Sequence, residues 1–396
     1  MKPKTIFLTR NGLMEPLGQS QVLRYMIGLS KDFNSTIISF EKKNDIKNAS
    51  LKASIQSQCD ANNINWVAKK YTNFLSPFSL VIDILKMIVA CFIEAKKGAN
   101  LIHARSYIPA LVAMMVGRML NINYIFDMRA LWPEELITSG RITRNSFLHK
   151  MLLSLERYAI KNAFSIVTLT NASLAYIFDL YEHEISHKKV VVIPTCTDLD
   201  KFYPSNKKSD YVIGCSGSVL SGWFDLDKLA AFYSFVAKKN PFIKFEVTTK
   251  DNHSIVTDFL HKRGVPIDRL RVFSSTVENM PSINQHQCAS VMFYKGNQLS
   301  ELGRSPTRMA EVLGCGNPVV SNSGVGDVAE IISQYNVGVI LDNYDENSLE
   351  IAYELFIELV SNPNTSHRCR EAAEKVFSIS RGVRSYAEIY NQAKSS

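Results

Sequence analysis

The chain has 396 residues, 46% hydrophobic and 21% charged, with 18 glycines and 13 prolines; this is globular composition and excludes collagen-like and low-complexity sequence. At ~150 residues per domain the length makes two or three domains, each large enough to bury a core. The net charge of +8 lies wholly in the first half, since residues 1–200 hold 24 Lys and Arg against 16 Asp and Glu while residues 201–396 hold 21 of each, and a basic half suggests an anionic partner: lipid, nucleic acid or an acidic substrate.

Taken in chain order, the first apolar run, Thr5–Thr9, is too short for a signal peptide and reads as a β-strand. Further strands are predicted at Ser35–Phe40, Asn65–Val67, Leu101–His103, Tyr124–Asp127, Ser165–Leu169 and Val190–Ile193. In the second half they fall at Tyr211–Ser216, Lys244–Thr249, Arg271–Phe273, Ser290–Tyr294, Pro318–Asn322 and Gly338–Leu341. Helical patterns lie between most of them, among them Gln19–Leu29, Ile108–Leu120, Phe147–Asn162, Leu226–Lys238 and Met309–Leu313. Alternating strands and helices mean βαβ units and parallel sheets covered on both faces, and Val190–Ile193 is apolar throughout as such a strand should be. The polar, proline-containing stretch Pro194–Asp210 divides the chain. The fold class expected is therefore α/β, with two doubly wound Rossmann-like domains facing across a cleft.

The most apolar stretch, Phe78–Ile93, carries Asp83 and Lys86 and falls short of the ~20 residues of a spanning helix, so it reads as a buried or interfacial one. Seven scattered cysteines without a C-x-x-C fit a reducing, cytoplasmic compartment with neither disulfide framework nor structural zinc. His183 and His187 are four apart but have no third ligand nearby in sequence. Asp198-Leu199-Asp200 and Asp225-Leu226-Asp227 have D-x-D spacing, and read better as linker and helix-start acids. The basic and aromatic run Trp66–Phe74 accompanies no nucleic-acid motif; a solvated face or a membrane-docking face are the two readings.

Ligands of doubly wound sheets bind beyond the carboxyl ends of the strands, so chemistry is sought in the loops there. Ser305-Pro306 before Thr307-Arg308-Met309-Ala310-Glu311 reads as a helix start, with Ser305 at the N-cap and Gly314-Cys315-Gly316 as its end. Free N–H groups there, with Arg308, would hold a phosphate; an ordinary capped helix is the competing reading. Gly217 and Ser218, after a strand, let a ligand approach the backbone, although no G-x-G-x-x-G is present to suggest a dinucleotide. Asn11–Val22, with Gly18, follows the first strand in the same way. Asp127 and Arg129 stand at a strand's carboxyl end, either as working groups or as a structural ion pair.

In this order the segments resemble those of GT-B glycosyltransferases, and more narrowly bacterial family 4. The resemblance is carried by Pro16-Leu17-Gly18-Gln19-Ser20-Gln21-Val22, by Pro194-Thr195-Cys196-Thr197-Asp198 and by Gly217-Ser218. It continues in Ser305–Glu311, in Gly324–Ile332, and in Val376-Phe377-Ser378 with Tyr386–Tyr390, and so spans nearly the whole chain. It implies an acceptor-side domain over 1–200, a nucleotide-sugar domain over 201–376, and a terminal helix over 377–396 crossing back to the first domain.

The resemblance implies transfer of a sugar from a nucleoside-diphosphate donor to a glycan or lipid-linked acceptor in surface polysaccharide or glycoconjugate synthesis. It implies retention of configuration and neither metal nor cofactor. The donor residues it implies are Gly18, Gly217, Ser218, Lys295, Ser305, Thr307, Arg308 and Glu311, with Asp127 and Arg129 in catalysis and Glu134 a weaker candidate. The family's two glutamates stand eight apart; Glu311 matches the second, but Gly303 occupies the first position and Glu301 comes two residues early. The basic pair usual after the donor domain's first strand is absent from Ser216–Phe224, and its duty falls to Arg308 and Lys295. The basic first half suggests the inner membrane face as a further partner and, without a motif, not nucleic acid. A sugar-nucleotide 2-epimerase of the same architecture and a non-catalytic transferase subunit are the competing functions.

Overall fold

A computed structural model describes residues 2–72, 77–205 and 211–395. It contains two compact units, Met1–Pro194 with Ile379–Ser396, and Thr195–Ser378. The first holds a seven-stranded sheet: β1 (Lys4–Thr9), β2 (Asn34–Glu41), β3 (Asn65–Lys70), β4 (Leu101–Arg105), β5 (Asn123–Asp127), β6 (Ser165–Thr168) and β7 (Lys189–Val192). The second holds six strands: β8 (Val212–Ser216), β9 (Lys244–Thr248), β10 (Leu270–Phe273), β11 (Ala289–Met292), β12 (Val319–Ser321) and β13 (Gly338–Ile340). All thirteen match strands expected from sequence, with ends moved by one to three residues.

Both sheets are parallel throughout, in the orders β3-β2-β1-β4-β5-β6-β7 and β10-β9-β8-β11-β12-β13. The chain runs outward from β1 to β3 and resumes on the other side at β4; likewise outward from β8 to β10 and back at β11. The β1/β4 and β8/β11 junctions are thus topological switch points, where the flanking connections diverge and leave a crevice beyond the strand ends.

Burial follows position in the sheet. The central strands β4 and β8 are buried at every residue, whereas β3 alternates and β10 is half exposed. Val190–Ile193 departs from expectation here: its apolar run forms β7, an edge strand only partly buried along its whole length. Apolarity alone does not distinguish an edge strand from a central one. In the second unit, Phe232, Tyr233, Phe245, Phe293 and Phe356 fill the core between sheet and helices.

The helix expected over Gln19–Leu29 is broken in three. It begins at Pro16–Gly18, passes through a π-type turn at Gln19–Leu23 and continues as Arg24–Leu29. Gly18 is buried there, and a Cβ on it would collide with the Gly12 carbonyl. Close packing of this helix start onto its own loop, rather than approach of a ligand, is what requires glycine at that position. The terminal helix Ile379–Ser395 packs within the first unit against Arg24–Leu29, where Val383 lies against Gly28.

Candidate functional site

The β8/β11 switch point opens into a cavity of about 570 Å³. Its wall is built from the loops after β8 (Ser216–Ser218), β9 (Thr248–Asp251), β10 (Ser275–Val277) and β11 (Tyr294), and from Arg304–Arg308 and Glu311. Of the donor residues expected from sequence, Gly217, Ser218, Ser305, Thr307, Arg308 and Glu311 meet in this wall. Gly18 belongs to the other unit.

Three polar atoms in the wall are buried and find no hydrogen-bond partner among the described residues: Arg308 Nη1, Thr248 Oγ1 and the Tyr294 hydroxyl. Buried polar groups are normally satisfied, so three orphans around one cavity mark a place where an oxygen-rich ligand would complete them. The Arg308 guanidinium lies 5.8 Å over Phe224 and 5.7 Å over Tyr294, set against both rings of that aromatic pair. Gly217 has φ of +103°, and a Cβ there would strike that guanidinium, so glycine is required by both backbone and neighbour.

A second arginine lines the cavity that sequence reasoning left out. Arg304 bonds Glu301 twice, at 2.6 and 2.9 Å, and lies 4.8 Å over the Trp223 ring. Glu301 is almost wholly buried, so it serves as a rigid anchor for a guanidinium that reaches the cavity. The i, i+3 pairing of Glu301 and Arg304 was visible in the sequence but reads as ordinary local charge pairing. Arg304, not Lys295, stands beside Arg308: Lys295 is exposed, donates its backbone N–H to Trp223, and lies outside this wall.

The loop after β8 is braced by an acidic side chain. The Asp251 carboxylate accepts from the backbone N–H groups of Val219 and Leu220, at 2.6 and 2.8 Å, and from the Ser218 hydroxyl at 2.8 Å. Burial raises the Asp251 pKa, but these bonds outweigh it and hold the group below the usual carboxylate range. The N–H groups that a glycine loop would offer to a phosphate are therefore already occupied, and Arg304 and Arg308 carry the positive charge instead.

The helix over Thr307–Gly314 starts one residue later than expected, with Pro306 rather than Ser305 in the N-cap position. Ser305 instead accepts from the Thr195 backbone N–H at 3.0 Å. The helix ends as expected, with Cys315 capping and Gly316 in the left-handed region. Burial pushes the Glu311 carboxyl up to about 7, against the opposing pull of Arg308.

In the first unit, Asp127 is 2% exposed at the end of β5, inside a cluster built with the terminal helix. Its Oδ2 accepts from the Tyr386 hydroxyl at 3.0 Å and meets His103 Nε2 at 3.3 Å, while His103 Nδ1 meets the Tyr390 hydroxyl at 2.8 Å. Arg129 Nη1 lies 3.9 Å from Oδ1. Burial raises the Asp127 pKa, yet Arg129, His103 and Arg105 more than offset it and leave the carboxyl below its usual range. Burial, with help from Arg129 and Arg105, holds His103 below its usual value against the pull of Asp127. The neutral imidazole then donates from Nε2 to Asp127 Oδ2 and accepts at Nδ1 from Tyr390, which satisfies both ring nitrogens, while Asp127 Oδ1 is buried without a hydrogen-bond partner among the described residues. Arg105, brought down to about 10 by burial and by Arg129, donates to Asn11 Oδ1 at 2.9 Å.

This geometry makes Asp127 a positioning residue, holding Tyr386 and His103 directly with Arg129 beside it, rather than a group exposed to substrate. Sequence reasoning missed His103, Arg105, Tyr386 and Tyr390 as its partners. Glu134 is likewise buried and taken, pairing with Arg144 and accepting from Tyr176 at 2.9 Å. Asp225 caps the helix Leu226–Lys239 and Asp227 pairs with Arg263, as helix-start acids should. Trp66, expected on a solvated or membrane-docking face, is buried with its indole N–H on Ser39 Oγ; Asn73 and Phe74 of that region lie outside the described residues, as do residues 206–210 of the divider.

No protein-family model matches the chain, and no curated protein matches it by sequence. Solved structures do match its fold along nearly its whole length. Sucrose-phosphate synthase from Thermosynechococcus elongatus superposes with a TM-score of 0.70 at 15% identity, covering 99% of each chain. HepE of Anabaena, solved with UDP and glucose, gives 0.66 at 13% identity over 98% of this chain and 99% of that one. WaaG, a glycosyltransferase involved in lipopolysaccharide biosynthesis, gives 0.66 at 12% identity over 97% of this chain and 99% of that one. The fold is thus the pair of parallel-sheet Rossmann-like units found in GT-B glycosyltransferases.

Proposed function

We propose that the chain is a glycosyltransferase whose second unit holds a nucleoside-diphosphate sugar. The observation that carries this reading is the switch-point cavity with Arg304 and Arg308 in its wall and three unsatisfied buried polar atoms around it. A diphosphate leaving group gains negative charge as the bond to the sugar breaks, and fixed guanidinium groups in a partly buried site stabilise that charge without reorganising. Thr248 and Tyr294 supply further hydroxyls to the donor, and Glu311, whose carboxyl burial pushes up to about 7, can donate to it when protonated. HepE carries UDP on the same fold, which makes UDP-sugars the first donors to test. Arg129 remains our candidate for a direct part in the chemistry, with Asp127 holding it.

The finer reading is transfer with retention, without metal, to a glycan or lipid-linked acceptor in surface polysaccharide synthesis, within the cytoplasm at the inner membrane face. Support for the membrane comes from the helix Pro77–Ala95, where Val81, Leu85, Val89 and Ile93 make an exposed apolar stripe at i, i+4, i+8 and i+12, with Lys86, Lys96 and Lys97 exposed on or just past the same helix. Among the described residues no helix is long and apolar enough to cross a membrane.

The experiment is a thermal shift against nucleoside diphosphates and their sugars, followed by transfer assays with the donor that shifts. A selective rise in melting temperature with one nucleotide supports the reading. No shift with any of them overturns it, and donor turnover into an epimer without acceptor replaces it with the epimerase reading.

A further inference from the structure

The β1/β4 switch point of the first unit opens into a second cavity, of about 700 Å³, large enough for one or two sugar rings. It is lined by residues after β1 (Arg10, Asn11, Glu15), after β2 (Lys42, Lys43), at and just past the end of β3 (Lys70, Tyr71, Thr72) and at the start of the helix Tyr107–Leu120, with Trp132 from the start of the helix Trp132–Thr138. Its charge is lopsided. Four basic side chains face one carboxylate, and Glu15 is already paired to Lys42 at 2.7 Å. Lys43 and Lys70 form no ion pair among the described residues. The Arg10 guanidinium stacks 4.9 Å over Tyr71, and its Nε is buried without a partner among the described residues.

The remaining wall is aromatic and polar. Trp132 is part-exposed and tilts against Tyr107 at 5.4 Å, so an apolar face with a fixed orientation lines the same cavity as the cations. Ser106, the residue before the helix, is held at φ +78° and ψ 176°, a region that glycine alone adopts freely, and no side-chain cap bond from it to the helix is made. Such strain persists only where its surroundings hold it, and it sits in the wall of this cavity. Two exposed lysines without an ion pair and a buried Arg10 Nε without an acceptor leave the cavity with positive charge that an anionic group would answer.

We infer that this cavity binds a sugar-bearing ligand through an anionic group, a phosphate, diphosphate or carboxylate, with Arg10, Lys43 and Lys70 on the charge and Trp132 beside the sugar. In naming that ligand as the acceptor, the inference rests on the glycosyltransferase reading; the cavity's preference for charge does not. A neutral glycan would leave the three cations unanswered, so the acceptor class is anionic.

The test is a saturation-transfer NMR titration of the full chain, in the presence of excess UDP to block the other cavity. The probes are methyl glucoside, methyl glucuronide, glucose 1-phosphate and a farnesyl-diphosphate-linked N-acetylglucosamine. The charged probes are expected to bind at least tenfold more tightly than methyl glucoside and to weaken as salt rises. The double variant Lys43→Ala/Lys70→Ala, at two exposed positions, is expected to reduce that binding at least tenfold and to leave UDP affinity unchanged. Equal binding of neutral and charged probes, or indifference to the double variant, overturns the inference. A farnesyl-linked probe that binds tightest assigns a lipid-linked diphosphate, and equal binding of glucuronide and phosphate assigns a charged glycan. If UDP fails to bind while charged sugars bind through Lys43 and Lys70, the transferase reading falls and the cavity assignment stands; if UDP binds and charged sugars do not, the reverse holds.

Discussion

The Tyr386 hydroxyl donates to the Asp127 carboxylate at 3.0 Å, across 259 residues of sequence, and fixes the last helix of the chain to the end of β5. The bond is buried and its acceptor is charged, so its loss leaves a carboxylate short of a donor. Tyr386→Phe is expected to destabilise the first unit by ~1.5–3 kcal/mol, the range for hydrogen bonds to charged groups, measured by urea unfolding. Val383, on the same helix, lies against Gly28, so a change at Gly28 to alanine should loosen the same attachment.

His103 gives that cluster a pH signature. Its folded pKa is below the unfolded value, so as pH falls through ~6.5 the unfolded chain takes up a proton that the folded chain refuses. Stability from this group is complete above that pH and declines below it, with a slope of up to ~1.4 kcal/mol per pH unit. Asp127, also depressed, adds a second decline in the same direction below ~4. His103→Gln should flatten the limb between pH 6.5 and 5 relative to the parent chain; parallel curves for the two proteins would refute the assignment.

Donor affinity should depend on the two arginines. Arg308→Ala is expected to weaken UDP-glucose binding by ~1.5–3 kcal/mol, and Arg304→Ala by a similar amount, read by calorimetry. Glu301→Gln should produce part of the Arg304 effect, because it frees the guanidinium from its anchor. Lys295→Ala should change nothing, and an excess of EDTA should leave both binding and turnover intact.

Glu311 predicts a pH dependence of opposite kind. With its pKa raised to about 7, the group ionises as pH rises through neutrality and places a negative charge beside a diphosphate. UDP-glucose affinity should therefore fall between pH 6 and 8, and Glu311→Gln should remove the slope. The same raised pKa means that the folded chain holds a proton the unfolded chain has lost, so between ~4.3 and 7 its stability contribution declines with rising pH.

Membrane attachment is tested by vesicle flotation. The chain should float with vesicles containing anionic phospholipid, less so with neutral ones, and the double change Leu85→Ser/Val89→Ser should abolish it without loss of fold. Flotation unaffected by that change would place the contact elsewhere.

Local pattern carried the fold well. All thirteen strands and the helix Phe147–Asn162 follow from apolar runs and their period, because those are properties of adjacent residues. The order of strands in each sheet, and with it the edge position of β7, depends on pairing between distant segments, which no local pattern encodes. The site was legible in part for the same reason. Arg308 and Glu311 share one helix with the motif that revealed them, while the Asp127–His103–Tyr386 cluster joins residues 24 and 259 positions apart. Arg304 failed differently: it lay in plain view, but only the fold shows that its anchor Glu301 is buried and its head is not.

The loops after the first strand of each unit share one device. Glu41, at the end of β2, accepts from the N–H groups of Leu13 and Met14 at 2.8 and 3.1 Å, as Asp251, just past β9, does from Val219 and Leu220. Each loop is thereby braced from within before any ligand arrives. Little conformational freedom remains to be lost when a substrate docks, so affinity is not drained by ordering the loop, and the cavities should hold their shape through successive rounds of filling and emptying.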